Sequence, residues 1–430
     1  MPTDAKQIQG PRGTRDFYPD AMAWRNHLVD AWRRVSVRNG FEQVDGPIFE
    51  TLDLYKVKSG EGIVSELFSF RRAQGSTDFA IRPEFTPTLA RMVAAKANAL
   101  PKPIKWFAVP NFCRAERPQR GRLREFWQWN VDLLGLDSPA ADAEIMFTCV
   151  DLLAELGLTR EHVRVKISHR DVVAEILETL GVPADRMGDA FDLLDKRDKM
   201  EPAKFSEAAA NLGLDGARLE RFEEVCRRRY RAGDLAHLAR SLGMDQPPAD
   251  LVALDRQLAA FGIADWCEYD LGIVRGLAYY TGTVFEVHEA SGVERAIAGG
   301  GRYDKLIELF GGPAIPAVGF GMGDVVLTNV LEDKGLVPED VSARPDAFVF
   351  ASVDGADERV SAIVAALRRT GLHARRGYRT TRNVGKLLKE AGNARARFAV
   401  IVGETVEVKN LESGEQMEVA AADLASQLSR

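Results

Sequence analysis

The chain has 430 residues, 46% of them apolar and 28% charged, with a formal net charge of −6. At about 100–200 residues per domain that allows two to four domains; it is too apolar for a disordered chain, and its net charge alone does not point to a nucleic-acid partner. No apolar run approaches the ~20 residues that cross a bilayer, and the start, MPTDAKQIQGPRGTRD, lacks an apolar signal core; together these predict a cytoplasmic protein with no membrane partner.

Residues 1–165 mix helix and strand signals. HLVDAWRRVSVRNGF (27–41) has a helical apolar rhythm that stops at Asn39-Gly40. FEQVDGPIFE then predicts a strand carrying a proline. In FAIRPEFTPTLARMVAA (79–95), Arg82 and Glu84 share a strand face at i, i+2. Thr86 is expected to cap a helix with Pro87 at its first position. A salt bridge and a cap are the plainer account of that segment; a ligand edge is the other.

The most informative segment is NFCRAERPQRGRLREFWQWNVDLLG (111–135), two strand-like runs around the loop Pro118-Gln119-Arg120-Gly121. Period two puts Gln128, Asn130 and Asp132 on one face and Trp127, Trp129, Val131 and Leu133 on the other. With Arg114 on the opposed run, one face offers a guanidinium, an amide and a carboxylate. Such a set suits a phosphate or carboxylate beside an ammonium. The tryptophan face predicts a central strand, which argues against a merely solvated polar face.

From about 170 to 262 the pattern is almost wholly helical, and strand signals return at about 267–323. LGIVRGLAYYTGTVFEV (271–287) holds a lone Arg275 beside Tyr279-Tyr280; an arginine in so apolar a run needs an internal acid or an anionic ligand. In AIAGGGRYDKLIELFGGPAIPAVGFGMGDVVL (296–327), Gly319, Gly321 and Gly323 recur with period two, predicting a strand face bare enough for a flat ring. Gly299-Gly300-Gly301 is expected to be a turn before a helix; neither a P-loop nor a dinucleotide fingerprint is present. DKGLVPEDVSARPD (333–346) predicts a linker. Beyond it AFVFASV, ADERVSAIVAALRRTG and RFAVIVG predict a strand, an amphipathic helix and a strand of a small α/β unit. Between Arg368 and Arg397 ten Lys or Arg stand against one acid, Glu390, a face able to bind phosphates although a solvated face has equal claim. The four cysteines (Cys113, Cys149, Cys226, Cys267) form no CxxC pair and the six histidines no HExxH, so no protein-held metal is expected.

Taken together these segments resemble the histidyl-tRNA synthetases, a subclass of the class II aminoacyl-tRNA synthetases, from GPRGTRDFYPD at residues 10–20 to the C-terminal unit. FCRAERPQRGRLREF resembles the second class-defining motif. RGLAYYTGTVFE and AGGGRYDKL resemble the two histidine-specific motifs, and NVGKLLKEAGNARARFAVIVGE the anticodon-binding domain. The resemblance implies a mixed α/β (α+β) fold: a class II antiparallel sheet flanked by helices, with a helical insertion and a C-terminal α/β anticodon-binding domain. The implied layout is a catalytic core over 1–332 with an insertion at about 170–262, a linker over 333–345, and the anticodon-binding domain over 346–430. It implies an enzyme that activates L-histidine with ATP and Mg2+, esterifies it to histidine tRNA, and works as a homodimer formed partly through the segment around Pro47.

By the same resemblance, Glu84, Phe85, Thr86, Gln128, Asp132, Tyr279 and Tyr280 bind histidine, the two tyrosines lining the imidazole pocket. Arg114 and Arg275 are the catalytic arginines. They bind ATP with Glu116, Gly321 and Gly323. Arg117, Gln119 and Arg122 meet the tRNA acceptor end, and Arg375, Arg376, Arg382 and Lys386 lie on the tRNA face. Two departures stand out. Ala278 follows RGL where the family often has Asp, and Val325-Val326 stands where the third class motif has Glu-Arg, so the arginine expected on ATP is missing. Two rivals remain: a non-catalytic synthetase-like regulatory subunit of ATP phosphoribosyltransferase, which typically lacks the anticodon domain and parts of the histidine motifs, and another class II synthetase.

Overall fold

The computed structural model describes residues 8–59, 61–197, 200–273 and 280–429. It comprises two compact units, residues 1–339 and 340–430.

In the first unit, helix α1 (Pro19–Arg38) precedes strands β1 (Glu42–Gln43) and β2 (Phe49–Thr51) and helix α2 (Leu52–Ser59). Strands β3 (Ser69–Arg71) and β4 (Asp78–Ile81) lead into α3 (Thr86–Lys96), β5 (Ile104–Ala108), β6 (Asn111–Cys113) and β7 (Glu125–Leu134). Helix α4 (Pro139–Glu155) and β8 (Val163–His169) follow. A helical stretch then runs through α5 (Arg170–Thr179), α6 (Met187–Lys196), α7 (Pro202–Ala210), α8 (Gly216–Arg227), α9 (Leu235–Leu242) and α10 (Ala249–Ala260), broken by the short β9 (Tyr230–Arg231). The chain returns to the sheet with β10 (Cys267–Tyr269), β11 (Thr283–Glu289) and β12 (Ala298–Arg302), then α11 (Leu306–Leu309), β13 (Ala317–Gly323) and α12 (Asp324–Asp333).

The main sheet has the order β1-β5-β7-β13-β12-β11-β8-β10-β9, with β6 also on β7; it is antiparallel except for β1–β5 and β8–β10. This is the mixed α/β fold with a helix-flanked, mostly antiparallel sheet that the resemblance implied. Its centre is the ribbon β7–β13–β12. One face of β7 is core: Trp129, Val131 and Leu133 are buried, and Trp129 stacks on Trp32 of α1 at 6.5 Å between ring centroids. Its indole also donates to Ser36 Oγ at 2.8 Å. Helix α1 earns that position by spacing: Leu28, Trp32 and Val35 recur on one stripe and are all buried. Burial of each such side chain contributes at most roughly 1.5–3 kcal/mol. The helix ends at Asn39, followed by Gly40 at φ 79°, a turn that only glycine adopts freely.

Three local expectations are corrected. FEQVDGPIFE forms two short strands in different sheets, β1 in the main one and β2 in the small sheet β2-β4-β3, because Asp45–Ile48 leaves the plane between them. Gly299–Gly301 is not a turn but the middle of β12. A methyl group at Gly300 would stand 2.1 Å from the Gly319 carbonyl, and one at Gly301 2.6 Å from that of Thr283, so close strand packing is what these glycines provide. Helix α3 takes Phe85 as its N-cap with no side-chain cap bond, and Thr86 is its first residue.

In the second unit, β14 (Ala347–Ala351), α13 (Asp357–Arg369), β15 (Ala374–Arg376), α14 (Val384–Asn393), β16 (Phe398–Val402), β17 (Val406–Asn410), β18 (Gln416–Glu418) and α15 (Leu424–Leu428) follow one another. The sheet order is β15-β14-β16-β17-β18. Period two divides β14: Ala347, Val349 and Ala351 pack with α13, while Phe348 and Phe350 pack with Leu387 and Ala391 of α14.

Candidate functional site

The polar face of β7 opens into a cavity of about 810 Å³ in the first unit. Gln128, Asn130 and Asp132 line it together, as their period-two spacing requires, beside Glu84, Thr86, Arg114 and Tyr280. Strand β13 pairs with β7 so that Gly319 faces Asp132, Gly321 faces Asn130 and Gly323 faces Gln128. The glycine strand is not a bare floor. A methyl group at Gly319 would stand 2.2 Å from Asp132 Oδ1, and one at Gly321 2.8 Å from Gln128 Cδ. Only Gly323 has nothing within 4 Å of that position. The glycines therefore let the side chains of β7 lie flat across β13.

Asp132 is buried at the cavity floor beside Asn130. It accepts a hydrogen bond from the Tyr303 hydroxyl, and burial pushes its carboxyl up to about 7 against the pull of that bond. Glu84 and Thr86 reach the cavity because the chain leaves β4 at Ile81. Arg82, expected to share a strand face with Glu84, turns the other way. Its guanidinium is buried against Asp45 (2.8 Å) and the carbonyls of Gly46 (3.0 Å) and Asn111 (2.9 Å). Phe85, expected to touch histidine, is 1% exposed and packs in the core with Leu89 and Tyr303.

Arg114 follows β6 and donates from Nε to the Pro83 carbonyl at 3.1 Å, with its guanidinium 5.1 Å from the Phe126 ring centroid. Burial lowers its pKa, with Glu84 and Glu116 opposing. Glu116 accepts from Arg122. The loop is closed by paired backbone bonds between Gln119 and Arg122, and Gly121 sits at φ 71°. Arg117 and Gln119 are exposed, while Arg120 is held by Glu294 and Asp333. Arg275 and Tyr279 lie outside the described residues.

Sequence reasoning missed the opposite wall. Glu286 and His288 of β11 line the cavity, joined by a 2.8 Å bond between Oε2 and Nε2, and Arg295 lines it from the β11–β12 connection. The alternation in TVFEVHE put Glu286 and His288 on one face; Arg295 carried no signal. Val326, on the first turn of α12, also lines the cavity. Its neighbour Asp324 is buried, accepting from Trp127 N (3.0 Å) and Arg15 (2.6 Å). Among the described residues no group of three or more His, Cys, Asp or Glu is placed to hold a metal ion.

In the second unit the basic stretch is partly neutralised by two acids outside it, Asp354 and Asp357, and by its own Glu390. Arg376 meets Asp357, Arg382 meets Asp354 and Asp357, and Arg379 meets Glu390. Arg375, Lys386 and Tyr378 are exposed, the last 80% so, with Arg376 lying 5.3 Å from its ring centroid.

A family model described as histidyl-tRNA synthetase matches residues 13–324. The chain is 41% identical over 410 residues to a histidine–tRNA ligase of Opitutus terrae, covering 94% of this chain and 92% of that one. It is 40% identical over 415 residues to one of Halobacterium salinarum, covering 94% of each. The crystal structure of histidyl-tRNA synthetase from Nostoc sp. PCC 7120 has the same fold, with a TM-score of 0.79 at 24% identity over 99% of both chains. With the length of the family match and these identities, the chain belongs to the histidyl-tRNA synthetase family.

Proposed function

We propose that this chain is a histidine–tRNA ligase, forming histidyl-adenylate from L-histidine and ATP and then passing the histidyl group to the 3′ end of histidine tRNA. The observation that carries the site assignment is the meeting, in one cavity, of carboxylates suited to an ammonium (Asp132, Glu84) with guanidiniums suited to phosphates (Arg114, Arg122). In the first step a histidine carboxylate oxygen attacks the α-phosphorus, the bond to the bridging oxygen breaks, and pyrophosphate leaves with its electron pair. A carboxylate needs no general base, so the site's work is alignment and charge compensation. Alignment can supply about 7–11 kcal/mol of the barrier. Arg114 and Arg275 stabilise charge at the α-phosphate, and Glu84, Thr86, Gln128, Asp132, Tyr279 and Tyr280 hold histidine.

Magnesium bound with ATP would supply neutralisation of phosphate charge, and the cavity carboxylates Glu116 and Glu286 would be the residues able to hold it. In the second step a ribose hydroxyl of the terminal tRNA nucleotide attacks the histidyl carbonyl and AMP leaves. Arg117, Gln119 and Arg122 on the hairpin loop are assigned to the acceptor end, and residues 346–430, with Arg375, Arg376, Arg382 and Lys386, to the anticodon. The exposed Ile48, Phe49 and Phe70, with Phe49 and Phe70 packed on the half-buried Phe79, support a homodimer through the segment around Pro47.

The test is ATP–pyrophosphate exchange by the purified full-length chain across the amino acids. Exchange with histidine alone is expected, because polar groups built for imidazole reject ligands that leave them unpaired by roughly 10⁴. Absence of exchange while histidine still binds would replace this reading with the non-catalytic regulatory subunit.

A further inference from the structure

The class pattern has an arginine at the position of Val326, and its loss leaves the nucleotide one cation short. A cation elsewhere in the cavity stands beside that position. A methyl group placed at Gly121 would lie 3.2 Å from Val326 Cγ2 and 3.5 Å from Arg295 Cδ, so the two side chains meet at the same glycine. Both line the cavity, and Arg295 arrives from a different element, the connection between β11 and β12.

Among the described residues Arg295 makes no hydrogen bond or ion pair. Its two nearby carboxylates are engaged elsewhere, Glu116 by Arg122 and Glu286 by His288. The Arg295 side chain is exposed at the cavity mouth; two further guanidiniums, Arg122 and Arg114, bear on it, and partial desolvation together with their repulsion lowers its pKa. Three guanidiniums converge on one cavity where Glu84, Glu116 and Glu286 offset their repulsion only in part, so an entering polyanion would relieve it. A neighbouring cation at the same glycine, short of a partner and aimed at the same space, fits the vacancy left at position 326.

We propose that Arg295 replaces the missing third-motif arginine, binding the terminal phosphates of ATP and compensating the charge that leaves on pyrophosphate. The proposal rests on the ATP-dependent reading above. It makes Arg295 a catalytic residue of a reaction whose usual cation for this task is absent. Arginine suits the role because its planar fork keeps its charge and bonds two phosphate oxygens at once.

The test compares ATP with AMP on the full-length protein, by calorimetry and by ligand-induced shift of the melting temperature. Arg295→Ala is expected to weaken ATP binding about ten- to hundredfold, the loss for a charge-assisted bond, while AMP binding stays within about twofold. Arg295→Lys should recover part of the difference. In pyrophosphate exchange the KM for ATP should rise and that for histidine hold. Equal loss of ATP and AMP, or no loss of either, overturns the proposal. Because binding is read without turnover, absent exchange in the wild type would sink the ligase reading while leaving the phosphate contact decided by its own measurement. Arg120→Ala, on the same loop region but held by Glu294 and Asp333, is the control: an equal fall in ATP binding there would overturn the assignment to Arg295.

Discussion

Tyr303, the residue after β12, donates its phenolic hydrogen bond to Asp132 on β7, bridging over β13 at the bottom of the cavity. The carboxyl it meets titrates at about 7 because burial disfavours its charge. The protonated form is thus favoured on folding. The stability this adds is complete below the unfolded value of ~3.9 and is lost as pH rises through about 7. Wild type minus Asp132→Asn should fall from pH 4 to 7, by at most ~1.4 kcal/mol per pH unit. Histidine affinity should run the other way, weakening below about pH 7 as the ammonium loses its carboxylate. Urea midpoints and calorimetry across that range check both, and a flat stability difference would remove the buried-carboxyl account.

Arg302 at the end of β12 pairs with Asp142 of α4 at 2.6 Å, with both side chains less than a tenth exposed. Removing one partner leaves a buried charge, so Asp142→Ala should cost about 3–5 kcal/mol. All six tryptophans lie in the first unit. Their fluorescence in a urea titration therefore reads this loss directly; a change under 1 kcal/mol would mean that solvent or Asp304 satisfies the arginine.

Arg275→Ala should lower histidine-dependent exchange about 10²–10³-fold, the loss for one group that stabilises charge in a transition state. Affinity for tRNA should hold. Exchange within threefold of wild type would reduce Arg275 to a structural partner.

Deleting residues 340–430 should leave histidine activation measurable and abolish most tRNA charging, since the boundary at 339 separates two compact units. Within the full chain, Arg375→Glu with Tyr378→Ala should weaken tRNA binding and flatten its salt dependence. Unchanged charging by this double variant would move the tRNA face elsewhere on the unit.

Period-two and helical spacing made much of this legible. The cavity face of β7 followed from Gln128, Asn130 and Asp132 against Trp127 and Trp129, because alternation on a strand admits one solution once Trp129 is buried and Trp127 packs against the same core. The strands and helix of the second unit followed in the same way. What sequence reasoning misjudged were contacts fixed by distant partners. Nothing local told that Arg82 would turn to Asp45, that Phe85 would face the core, or that Asp357 would claim Arg376 and Arg382. Glycines misled as well: GGG reads as a turn unless one knows that Phe320 and Val284 flank it on both sides. Arg295 was invisible because its significance depends on Val326, some thirty residues away.

The contact between Gly121 and Val326 bears on how this site can change over time. A β-carbon at Gly121 would stand only 3.2 Å from Val326 Cγ2, and Gly121 sits at φ 71°, a conformation few residues accept, so the 119–122 turn is held to glycine. A side chain at 121 would press on Val326 and Arg295 together, so this one hairpin glycine constrains two walls of the cavity at once.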